Sequence, residues 1–236
     1  MLLREQPGGG VLAIAQPAHA ALAGRLAEAW GHALSADLLV ATAHHDDVWT
    51  AWDAAPRWSP ATGCAMTFLE LEPAERVAVW SQASQRATPL GPAAELWVLR
   101  HAARLHADYD DHALKAMTAS ISTRIAELAA ELRAADASRF DDGELARGTS
   151  LLALFDALSL ALCFGVNEPK DAGVLRLTPA TDGAVAVAPW PFAGARVETY
   201  VEARRLPGRV TDQGELDAAW AAAAPSEVTI TLVPGA

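Results

Sequence analysis

Through the first two thirds of the chain, apolar residues recur at the three-to-four spacing of helices. Only near its two ends do they fall into the short, turn-bounded runs of strands. Residues 1–4 and 11–15 flank the turn sequence PGGG and predict a short β-hairpin. Gln16-Pro17 then opens a helix in which Leu22, Leu26, Ala29 and Trp30 share a face, and Ser35 or Asp37 can cap the next one. That second helix runs through LLVATA into HHDD and is expected to continue to Trp49 or Trp52. Pro73 and Gly91-Pro92 start two further amphipathic helices, PAERVAVWSQASQRA and PAAELWVLRHAARLHADY. Asp110-Asp111 can cap a long helix over residues 112–135, with Ile121, Ile125, Leu128 and Leu132 as its buried stripe.

After the polar break DASRFDDGE comes SLLALFDALSLALC, apolar on almost every side and stopped by Gly165. From about Lys170 the pattern changes. Residues 174–177, 184–187, 197–203 and 228–232 read as strands, with a short helix over 213–224. The expected fold is therefore mainly α, with a small antiparallel β-sheet made by the N-terminal hairpin and the C-terminal strands. Residues 1–170 would form the helical domain and 171–236 a small β-rich subdomain packed on it.

Composition narrows the partners. With 52% hydrophobic and 20% charged residues the chain is globular, and 236 residues are enough to bury a real core. A net charge of -11 and a pI near 5.0 argue against nucleic acid or an anionic membrane as partner, and a small anionic substrate would need a local positive centre. Cys64 and Cys163 stand far apart with no CxxC, so neither a disulfide framework nor a thiolate zinc site is indicated. No uncharged apolar run reaches the roughly 18 residues of a membrane span, and no signal peptide is legible at the start. The expected location is cytoplasmic, and a helix face could pair two copies as a homodimer.

The chemistry gathers at two stretches. DLLVATAHHDDVW ends an apolar helix in four ligand-grade side chains, His44, His45, Asp46 and Asp47. Far along, Asp156 is the single carboxylate of an apolar helix, and burying it unpaired would cost several kcal/mol, so a cation should meet it. That cation is an arginine, a histidine or a metal ion. Neutral imidazole with carboxylate suits a divalent transition metal such as Fe, Mn, Co, Ni or Zn, and one or two ions are open on the sequence. His101 and His106 lie five residues apart on one helix and point about 140° apart, so one of them is expected at the surface. Trp49, Trp52 and Trp58 either wall a pocket or pack a helix end.

The order H, HD, D, carried by QPAHAALAGRLAEAW, LLVATAHHDD and LFDALSL, resembles the HD-domain superfamily of metal-dependent phosphohydrolases. The resemblance implies an HD-like helical bundle with His19, His45, Asp46 and Asp156 as metal ligands. It makes His101 the extra histidine for a second metal or the substrate phosphate, and the chemistry implied is hydrolysis of a nucleotide or small phosphate ester. Asp46 or Asp47 would position the attacking water, and Arg57, Arg100 or Arg104 could hold the phosphate. Related scaffolds also support a di-iron oxidase, and a third reading is a non-enzymatic protein with a structural His/Asp network. Over nearly its whole length, through QPAHA, HHDDVWTAWDAAP, FDALSLALC and PWPF, the chain also resembles an uncharacterised bacterial family of unknown function. It departs from the HD pattern after the pair, where Asp47-Val48-Trp49 replaces a small apolar residue and glycine.

Overall fold

Residues 1–235 are described by a computed structural model. Gly8, Gly9 and Gly10 all adopt positive φ and turn strand β1 (Leu2–Glu5) back onto β2 (Val11–Ile14), pairing Leu2 with Ile14. Pro17 lies in the first turn of α1 (Gln16–Glu28), and the Ser35 hydroxyl accepts the Leu38 N–H to cap α2 (Ala36–His44). α2 ends at His44, short of the expected Trp49. Asp46 leaves helical geometry at φ -115°, ψ 17°, and the chain re-enters a 3-10 turn at Asp47–Trp49 before α3 (Thr50–Ala54).

A two-residue ribbon of β3 (Trp58–Ser59) and β4 (Cys64–Ala65) follows, then α4 (Pro73–Trp80) and α5 (Ala83–Ala87), where one continuous helix was expected. α6 (Pro92–His106), α7 (His112–Ala135), capped by Asp111, and α8 (Asp142–Phe164), capped by Asp141, complete the helical body. The C-terminal segment holds β5 (Lys170–Ala172), β6 (Leu175–Pro179), β7 (Val185–Ala188), β8 (Val197–Leu206), α9 (Gln213–Ala222) and β9 (Pro225–Pro234).

The mainly-α bundle with a small antiparallel sheet is overturned by these strands. They form one seven-stranded sheet in the order β1-β2-β8-β9-β7-β6-β5, curled like a half-barrel. It is mixed rather than antiparallel, because β7 and β9 run parallel, with Val185 opposite Leu232. The sheet is larger than the hydrophobic runs suggest for two reasons. β8 and β9 extend beyond their apolar centres through paired backbone, from Val197↔Leu232 to Arg204↔Pro225. β5 is the charged segment KDA, which pattern reading passes over.

Two apolar cores meet at the helices that matter for function. α1 and α8 lie against the sheet, where Leu22, Leu26, Phe155, Leu158 and Leu162 pack with Leu12, Leu177, Val187 and Leu232. α6 and α7 build the second core with Trp49, Trp80 and Trp97. α8 has the length and apolar composition of a membrane span. Here its buried residues instead include Leu152, Phe155, Asp156 and Leu158, which face protein. α1 and α2 approach closely at Gly24, where a Cβ would lie 2.6 Å from that of Ala43.

Candidate metal centre

Four helices deliver five titratable side chains to one buried point. α1 supplies His19, the end of α2 supplies His45 and the residue after it Asp46, α6 supplies His101, and α8 supplies Asp156. His19, His45 and His101 are each no more than 1% exposed, and Asp46 and Asp156 are also buried. Ligand atoms of His19, His45 and Asp156 lie within 4.8 Å of one another, and so do those of His45, Asp46 and His101.

The bend at Asp46 is what lets neighbouring residues share a target. In a continued helix their side chains would diverge by about 100°. With the turn in place His45 and Asp46 both face inward, while His44 and Asp47 pair with each other at 2.8 Å on the outside. Asp47 is thus not brought to the cluster.

Two hydrogen bonds aim the histidines. Nδ1–H of His45 donates to the Thr42 carbonyl at 2.8 Å, which leaves Nε2 as its inward ligand atom, 3.5 Å from Oδ1 of Asp156. Ser159 donates its hydroxyl to the Asp156 carbonyl at 2.9 Å, so its oxygen accepts from Nδ1 of His19 at 3.0 Å. Nε2 of His19 then lies 2.8 Å from Oδ2 of Asp46, a contact that needs a proton or a cation shared between the two.

Several polar atoms at this point are buried without partners: Nε2 of His45, Oδ1 of Asp46 and both ring nitrogens of His101. A hydrogen-bonded structural network would satisfy them. The charge balance is equally incomplete. Burial alone would lower the His45 pKa, but Asp46 and Asp156 outweigh it and hold it near 9. Burial would raise both carboxylates, yet the surrounding histidines keep each below the usual range. Burial drives His101 down to about 3, so it stays a neutral imidazole. Two ionised carboxylates, neutral imidazole nitrogens and orphaned lone pairs are a donor set that fits a divalent cation, which would replace the proton on His45.

Both three-residue groupings use His45, and its Nδ1 is committed to Thr42. The two groupings therefore share one ligand atom, Nε2 of His45, and form one continuous cluster.

His19, Asp46, His101 and Asp156 line a cavity of about 240 Å³ walled by Trp49, Phe68, Trp80, Leu105, Tyr109 and Leu160. Arg76 lines the cavity, above the Tyr109 ring, and Arg104, its side chain 42% exposed, reaches Asp156 at 3.5 Å. A larger groove between α1 and β8, of about 460 Å³, holds none of the cluster residues.

Residues 1–208 match the family model described as "Protein of unknown function (DUF3891)". The chain belongs to that family. No curated protein and no solved structure matches it. For this DUF3891 member the family match brings no activity with it.

Of the residues singled out from sequence, His19, His45, Asp46, His101 and Asp156 converge and Asp47 does not. Among the arginines Arg104 alone reaches the cluster. Arg57 pairs with Glu75, and Arg100 donates to Thr149. His106, expected at the surface if His101 was not, is 3% exposed and lines the same cavity. Pattern reading also passed over Gln16 and Arg76. Gln16 was legible only as a helix start, and Arg76 as one of many surface arginines.

Proposed function

We propose that this DUF3891 protein is a metal-dependent phosphohydrolase acting on a nucleotide or small phosphate ester, with an HD-like ligand set. The observation that carries the reading is the group of partnerless, buried ligand atoms on His45, Asp46 and His101, the last two lining a cavity that also holds Arg76, with Arg104 reaching Asp156 beside it. The sequence order H, HD, D supports it. A bound divalent ion would acidify a coordinated water and polarise a phosphoryl oxygen.

The chain's own residues supply the rest. Arg104 and Arg76 hold the phosphate by charge-assisted hydrogen bonds in a protein whose net charge would otherwise repel it. Oδ1 of Asp46, free of any partner, accepts a hydrogen bond from the attacking water and orients it. Trp49, Trp80 and Phe68 exclude bulk water and hold the apolar part of the ester.

Arg76 in the cavity and Arg104 beside Asp156 favour an anionic phosphate substrate over a di-iron oxidase reading. Elemental analysis after purification without chelator, with a panel of phosphomonoesters and phosphodiesters, tests the reading. The expected result is about one divalent ion per chain and turnover of some panel member, both lost in Asp156→Ala. Metal-loaded protein that hydrolyses nothing in the panel would sink it.

A further inference from the structure

His106 is a histidine that neither the cluster nor the fold consumes. Its Nδ1–H donates to the Ala102 carbonyl at 2.7 Å, which fixes the ring and makes Nε2 an acceptor. The ring is wedged edge-on against Trp80, with centroids 5.1 Å apart, and lies 5.8 Å from Tyr109. Nε2 has no partner among the described residues and is not one of the fully enclosed atoms, so it opens on the cavity that His106 lines. The charged groups acting on it are Arg76 and, more weakly, Asp46. Burial and then Arg76 disfavour its cationic form, so it meets a ligand as a neutral acceptor.

The position gives the acceptor meaning. His106 follows His101 by five residues, about 7.5 Å along α6, so the cavity presents a cation-binding end and, a short molecule's length away, a neutral acceptor. Gln16 adds a second: it is 3% exposed, lines the same cavity, and its Oε1 has no partner. A site with buried acceptors left open discriminates strongly against ligands that have nothing to donate. The cavity's 240 Å³ lies below the usual range for larger ligands, so the bound molecule is compact.

We infer that His106 is a specificity residue that accepts a hydrogen bond from a hydroxyl or amino group at the far end of a compact phosphate ester. The inference rests on the phosphohydrolase reading for the anionic end only. Two phosphonates that no hydrolase can cleave, 3-hydroxypropylphosphonate and n-propylphosphonate, differ by one hydroxyl and separate the two ideas. Titration calorimetry on the full chain should show the hydroxylated probe binding about tenfold tighter, the worth of one hydrogen bond to a buried acceptor. His106→Phe should erase that preference while leaving n-propylphosphonate within about twofold. His106→Gln, which retains an acceptor, should keep part of it.

Should His106→Phe fold poorly, ¹⁵N-histidine spectra of the native chain serve instead. The Nε2 resonance should move with the hydroxylated probe and stay put with the other. Equal binding of the two probes, no binding of either, or a preference that survives His106→Phe overturns the inference. Absence of turnover on phosphate esters with the hydroxyl preference intact would instead remove the hydrolase reading and leave His106 its role.

Discussion

Nε2 of His45 faces Oδ1 of Asp156 at 3.5 Å, too far for a hydrogen bond and close enough for both to hold one ion. Asp156→Ala removes one side of that pair. Metal affinity should fall by more than about 100-fold, beyond what the loss of a ligand's hydrogen-bonding neighbour costs. Competition with a chromogenic chelator measures it. Stripping the ion from the native chain should lower Tm, since ligand at about 100 times Kd adds about 2.7 kcal/mol. Unchanged Tm and metal content in Asp156→Ala would contradict the site.

Ser159 holds the His19 ring from behind, on the side away from the ligand atoms. Ser159→Ala should therefore weaken metal binding by about 10- to 100-fold while Tm of the metal-free protein barely moves. A purely structural serine would show the reverse, with lower Tm and unaltered affinity.

Gly24 allows α1 and α2 to approach until their ligands meet. A methyl there would lie 2.6 Å from the Ala43 Cβ and 2.9 Å from its Cα, so the helices must part. Gly24→Ala should cost about 1–3 kcal/mol in urea unfolding despite the better helix propensity of alanine, and should loosen metal binding as His19 moves from His45. An equally stable variant would show that the interface can absorb the group.

Glu95 anchors α6 from its other end. Burial would raise its pKa, but hydrogen bonds from Arg124 and Ser84 prevail and hold it below 4.5. A carboxylate depressed in the folded state stabilises at pH above its unfolded value and loses that contribution as pH falls through the folded one. Glu95→Gln should therefore be less stable by about 1–2 kcal/mol at neutral pH, a modest figure because Arg124 is partly exposed. The gap should close as pH drops below 4.5. A gap independent of pH would place the loss in packing instead.

The clustering of these residues was legible in sequence because a carboxylate in an all-round apolar helix and a histidine-aspartate pair ending another helix have few ordinary explanations. Asp156 does meet cationic and imidazole partners, namely His45, His101 and Arg104. The site's geometry was not legible. A helix continued through His45 and Asp46 would have splayed them, and nothing in HHDD announces the break at Asp46. His106 was misjudged for a related reason: helical spacing gives direction but not the shape of the surroundings, and the cavity curves far enough around α6 to reach both histidines. In the fold, the long helices carried their own signals of stripe and cap. The seven-stranded sheet did not, because its extent depends on pairing between distant segments and its parallel pair has no local signature.

That pairing also sets an order of events. Val11 of β2 sits opposite Leu206 of β8, and α1, which carries His19, packs on the sheet they share. On the ribosome the hairpin emerges early and must wait, its second strand unpaired on one side, until nearly the whole chain has been made. α1 and α8, which carry His19 and Asp156, therefore gain their packing against the completed sheet only late. Of the five clustered side chains Asp156 is the last to be synthesised, so the full set exists only once α8 has been made.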